Sequence, residues 1–165
     1  PEAKTSVIRP VYQVSDKVYK NSESTISYLE KKYNFKGKYF YLPNQFWTHK
    51  NHMVVFKALS VLKSKGIEVV VLCSGLMDHA DAPERGHTEY MENIHKYILD
   101  NKLEDNLKLL GLIDYEDVLK LGRYSISVIN PSFFEGWSTT VEEAKSIGKN
   151  VILSNLDIHL RIYTV

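Results

Sequence analysis

"GKYFYLPNQFWTHKNHMVVFKALSVLKSKGIEVVVLCSG", residues 37–75, changes its hydrophobic period twice. A short apolar, aromatic run lies between Gly37 and Pro43 and reads as a strand. From His49 to Gly66 the apolar residues recur at helical spacing. Val55, Leu59 and Leu62 share a face, Val54, Ala58 and Val61 widen it, and Gly66 closes the helix. "IEVVVLCSG" is then apolar almost throughout, as a strand covered by helices on both sides must be. Strand, helix, strand is the repeating unit of an α/β fold.

The alternation continues to the end of the chain. Helices are expected at 22–35 (with Ser22 or Ser24 as N-cap), 88–103, 114–122 and 139–148, and strands at 106–111, 125–130 and 150–154. Asp114 is the expected N-cap of the third of these helices, and Gly148 ends the last. The strand at 150–154 is read as buried. Residues 77–87 form a polar loop, the segment expected to move most. The expectation is an α/β fold: a doubly wound, Rossmann-like parallel sheet of five or six strands, order 3-2-1-4-5, with helices on both faces. Residues 1–22 read as a linker carrying one short strand.

The totals fit a single globular domain: 165 residues, 44% apolar and 25% charged. Net charge is +1 with both signs interspersed, which gives no basis for nucleic-acid binding. The lone cysteine, Cys73, excludes an internal disulfide and a Cys-based zinc site, and its apolar surroundings predict an inert buried thiol. No apolar run approaches the roughly 20 residues of a membrane span. Residues 1–20 show no signal-peptide core. A reducing, cytoplasmic setting is expected, and the opening without Met reads as a fragment of a longer protein.

In a sheet of this order, ligands bind at the carboxyl ends of the first and fourth strands. Those ends carry the two most polar loops of the chain, "LPNQFWTHKNH" and "INPSFFEGWSTT". Gly136 permits close backbone approach to a ligand. Ser138, Thr139 and Thr140 precede a helix whose free amides attract anions. Glu135 would repel a phosphate, so it should accept hydrogen bonds from hydroxyls, and Glu143 one turn on could hold a diol. A phosphate between two hydroxyl-bearing groups describes a nucleotide sugar. Lys50 is in reach of a pyrophosphate. Plainer readings stand beside these. Thr139-x-x-Glu142 and Thr140-x-x-Glu143 are capping boxes, Trp137 fits a core, and Lys50 fits a solvated surface. His49 and His52 are three apart but lack a third metal ligand. No glycine-rich nucleotide fingerprint is present.

The segment "FFEGWSTTVEEAKSIGKNVILSN", residues 133–155, resembles the E-x7-E region of retaining glycosyltransferases with the GT-B fold (glycosyl transferases group 1). Glu135, Gly136, Glu143, Ala144, Gly148, Val151, Ile152 and Ser154 match its usual form. Trp137, Ser138 and Lys149-Asn150 depart from it. "NQFWTHKNH" resembles the family's phosphate loop, with Lys50 at its lysine. The resemblance implies that residues 23–165 are the carboxyl-terminal, nucleotide-sugar-binding half, and 1–22 the linker from an amino-terminal half. It implies Glu135 at the reacting carbon as the catalytic residue. Donor binding would fall to Gln45, Lys50, Gly136, Trp137, Ser138, Thr139 and Glu143, with Leu112, Ile113 and Gly75 around the base. It implies a hexose donor, no metal and no cofactor, and a glycan or lipid-linked acceptor held by the other half. Peripheral attachment to a membrane would come through that half. This fragment alone would be inactive. The base, sugar, acceptor and oligomeric state are not specified.

Where the family has Gly-Arg, this chain has Asn44-Gln45, which removes a positive charge; Arg9, Arg85 and Arg161 are candidate substitutes. That loss keeps a scaffold without catalysis open, alongside a nucleotide-sugar epimerase of the same fold. A response-regulator-like module would need an aspartate where the strands end in "YLPN", "LCSG" and "VINP".

Overall fold

The computed structural model describes residues 14, 16–19, 23–77 and 87–163. Residues 78–86 of the polar loop read at 77–87 and most of the linker reading lie outside them, as do Arg9 and Arg85. The described part of the linker holds a single helical turn, α1 (Asp16–Tyr19).

The elements then run α2 (Glu23–Tyr33), β1 (Phe40–Leu42), a 3-10 turn (Thr48–Lys50), α3 (His52–Ser64), β2 (Val71–Cys73) and α4 (His87–Asp100). After these come β3 (Leu107–Leu109), α5 (Tyr115–Tyr124), β4 (Val128–Asn130), α6 (Thr139–Ser146), β5 (Val151–Leu153) and α7 (Asp157–Tyr163). The five strands form one sheet in the order β3-β2-β1-β4-β5, and all neighbours are parallel. This is the expected doubly wound α/β arrangement.

Strand periodicity divides the core into two layers. Leu42, Val71, Cys73 and Ile129 pack with Val55, Phe56 and Leu59 of α3 and Ile94 of α4. Tyr41, Leu72 and Val128 point the other way, onto Leu29 of α2, Leu121 of α5 and Ala144 of α6. Full burial of such side chains contributes about 1.5–3 kcal/mol each. Cys73 is fully buried, and burial pushes its thiol pKa up, as an inert thiol requires.

Two expectations fail at the β5 edge. Val54, Ala58 and Val61 do not widen the buried face of α3; all three are exposed. Nor is β5 buried, since Ile152 is 50% exposed. Both departures have one cause. On the α3 side of the sheet, no described helix lies over β5. The result is an apolar groove of about 440 Å³ lined by Val54, Ala58, Leu62 and Ile152. The helix α7 was not read from the sequence at all. Among its residues with described side chains it buries His159 and Ile162, a pair too short to register as a period.

Candidate functional site

The loops after β1 and β4 face each other at the carboxyl edge of the sheet, as the strand order requires. Several bonds tie them together. Lys50 Nζ donates to Glu135 Oε1 at 2.7 Å, Asn51 Nδ2 to the Pro131 carbonyl at 3.0 Å, and the Phe133 amide to the His49 carbonyl at 2.8 Å.

The β1 loop is held from beneath. His52 is fully buried and stacks on Phe46 with ring centroids 4.2 Å apart. Its Nε2 lies 3.2 Å from the Asn44 carbonyl and so carries the proton, leaving Nδ1 to accept from Tyr90 Oη at 3.5 Å. Burial drives its pKa down to about 4; the Asn44 carbonyl opposes that shift and the Lys50 charge adds to it. The ring is therefore neutral, with a partner at each nitrogen. No cluster of metal-ligating side chains occurs among the described residues.

Gly75 has φ +150°, and a Cβ there would sit 2.3 Å from the Asn44 carbonyl oxygen. The β1 and β2 loops touch backbone to backbone at this point. Gln45 completes the junction, its Oε1 accepting from the Leu76 amide at 2.7 Å. Gly136 shows the opposite: nothing lies within 4 Å of its would-be Cβ, and it has no positive φ.

The helix α6 is capped by Ser138, whose Oγ accepts from the Val141 amide at 3.4 Å. Neither threonine capping box forms. Thr139 and Thr140 are the first helical residues, and first-turn amides have no intrahelical partner. Glu143 is thereby free of the cap. It accepts from Tyr115 Oη at 2.9 Å, and burial raises its pKa against that bond. Asp114 occupies the N-cap of α5 without a capping bond; its carboxylate pairs with Lys32 at 3.1 Å.

Glu135 is held differently. Its Oε1 receives Lys50, Ser132 Oγ at 2.7 Å and Asn130 Nδ2 at 3.4 Å, and its Oε2 bonds to no described residue. Burial raises its pKa, but the bonds from Lys50, Ser132 and Asn130 outweigh it and hold the carboxyl below its usual range.

A cavity of about 320 Å³ collects most of the expected residues: Gln45, Lys50, Gly75, Leu112, Ile113, Thr139 and Glu143. Lys50 is its only cationic side chain among the described residues. Ser138, Gly136 and Trp137 are not on its wall; the Trp137 Nε1 is buried with no described partner. Glu135 lies behind Lys50 and lines a second cleft, of about 460 Å³, with Phe134, Asp157 and Arg161. Arg161 shares this cleft with Glu135 and is not on the wall of the cavity. Sequence reasoning missed Tyr115, Asn130 and Ser132. Asn130 left a signal, a polar residue closing an apolar strand; Tyr115 left none.

The family model for glycosyl transferases group 1 matches residues 28–163. The chain belongs to this family. Solved structures agree in fold. A glycosyltransferase from Rickettsia africae superposes with TM-score 0.74 at 20% identity, covering 90% of this chain and 37% of that one. The Anabaena Alr3699/HepE protein, solved with UDP and glucose, gives 0.71 at 20% identity, covering 90% and 38%. Trehalose-6-phosphate synthase OtsA gives 0.71 at 12% identity, covering 88% and 35%. The chain therefore spans little more than a third of these relatives. No curated protein matches it. The sheet is the Rossmann-like sheet of GT-B glycosyltransferases. No helix among the described residues is long and apolar enough to cross a membrane.

Proposed function

We propose that this chain is the donor-binding, carboxyl-terminal half of a retaining glycosyltransferase that moves a hexose from a nucleotide diphosphate to a glycan or lipid-linked acceptor. One observation carries the reading. A single cavity has three walls of different chemistry: the cation Lys50, the amino end of α6, and the carboxylate of Glu143. A cation and a helix amino end together suit a diphosphate. A carboxylate with a raised pKa suits the ribose diol, and Leu112 and Ile113 suit the face of a base.

Lys50 would leave Glu135 for the diphosphate and stabilise its charge as the sugar–phosphate bond breaks. That exchange frees Glu135 to accept hydroxyls of the donor sugar. The retaining outcome rests on the resemblance of Glu135 and Glu143 to the E-x7-E pair. The acceptor would be held by a second half, so this chain alone would transfer little. Work without a metal and a cytoplasmic setting belong to the same proposal.

Calorimetry with UDP, GDP and ADP, without added metal, tests it. UDP is the first nucleotide to try, since several structural relatives were solved with it. Selective binding of one diphosphate is expected, weakened about 10- to 100-fold by Lys50→Ala and by Glu143→Ala, as for lost bonds to charged groups. A folded chain that binds none of the three would overturn the reading.

A further inference from the structure

The replacement of the family's Gly-Arg by Asn44-Gln45 removes a charge, and the structure shows what Asn44 does in its place. Asn44, two residues past the end of β1, and Asn130, the last residue of β4, are 3% and 0% exposed. Asn44 Nδ2 donates to Asn130 Oδ1 at 3.3 Å, and Asn44 Oδ1 accepts from Thr140 Oγ1 at 3.1 Å. Asn130 Nδ2 donates to Ser138 Oγ at 2.7 Å and reaches Glu135 Oε1 at 3.4 Å, and its Oδ1 also accepts from Ser132 at 2.7 Å.

Each amide fixes the other. Turning Asn44 would set acceptor against acceptor and turning Asn130 donor against donor, leaving buried groups unpaired. The pair lies at the carboxyl edge of the sheet among other buried polar side chains, Ser132, Ser138 and Thr140. Its bonds run to the cap of α6, to the first turn of α6 and to the carboxylate that holds Lys50. On the other side, the Asn44 carbonyl accepts a hydrogen bond from His52 Nε2 and abuts Gly75.

Building on the donor-site reading above, we propose that Asn130, clasped to Asn44, is a positioning residue of this site. It keeps Glu135 Oε1 and the Ser138 cap in register with the loop that carries Lys50, and leaves Glu135 Oε2 for the donor sugar. It touches no substrate itself. A clasp of this kind governs ligand groups that span both loops, chiefly the diphosphate. It leaves alone groups held by the base wall and Glu143.

The test uses Asn130→Leu, Asn44→Leu and the double variant in this chain, with UDP and uridine as probes. UDP affinity should fall about tenfold in each single variant and no further in the double, because one unit has been broken. Uridine affinity should stay within about twofold. Additive losses near a hundredfold, or equal losses for uridine and UDP, would make the pair ordinary core and overturn the proposal. If the unaltered chain binds no UDP, the donor reading fails and the clasp is judged in the free protein. The His52 Nε2–H resonance should then move in Asn130→Leu, although Asn130 does not bond to His52; a resonance that stays put overturns the clasp. Should Asn130→Leu not fold, Asn130→Ser carries the same readouts.

Discussion

Acidification should weaken this fold earlier than its carboxylates require, through His52. The folded pKa is about 4, against 6.5 for a free imidazole, and burial is the main cause. The unfolded chain therefore binds the proton more readily than the native one. The stability from a neutral His52 is complete above pH 6.5 and is lost as pH falls through 6.5 towards 4. Linkage puts the loss at about 2 kcal/mol by pH 5 and about 3 kcal/mol by pH 4. Against a typical stability of about 5–15 kcal/mol, that is a large fraction. His52→Gln keeps a donor for the Asn44 carbonyl but does not titrate. Urea unfolding from pH 7 to pH 4.5, followed by tryptophan fluorescence, compares the two chains. The variant should start less stable, having lost the Phe46 stack, and then fall less steeply. Glu143, with its raised pKa, runs in the opposite sense, and Glu135 and Asp117, with lowered pKa values, act lower; subtracting the variant cancels all three. Parallel curves for the two chains, or a His52 titration near 6.5, would refute the reasoning.

Other consequences follow from the same geometry. Gly75→Ala must push the Asn44 carbonyl from 2.3 Å to about 3.2 Å, and a shift of about 1 Å in this loop should weaken UDP binding by tenfold or more while the chain still folds. Lys50→Met removes the strongest donor to Glu135, so the Glu135 carboxyl should titrate higher, as carbon-13 NMR would show; an unchanged titration would mean that Ser132 and Asn130 suffice. Tyr115→Phe removes the one bond opposing the raised pKa of Glu143. Affinity for UDP should then fall off at a higher pH than in the unaltered chain, measured by calorimetry from pH 8 to pH 5.

The strand order could be read because apolar runs and helical periods alternate without ambiguity from Phe40 to Leu153. The meeting of Lys50 with Glu135 followed from that order, since it sets their two loops together. What stayed hidden depends on contacts between distant segments. Only the approach of Asn44 explains why residue 75 must be glycine, and only the partnership of Ser138 with Val141 shows that Thr139 and Thr140 are not caps. Burial at β5 was misjudged because a sequence period records which residues are apolar, not whether a helix lies over them. Tyr115 reaches Glu143 across 28 residues, a pairing that no local pattern encodes.

The most direct measurement of the central claim is the map of backbone amide shifts when UDP is added to this chain. The account predicts that they cluster at 44–50, 74–76, 112–115 and 138–143, around the cavity shared by Lys50, α6 and Glu143. Shifts concentrated along the apolar groove between α3 and β5, or no shifts at saturating UDP, would contradict it.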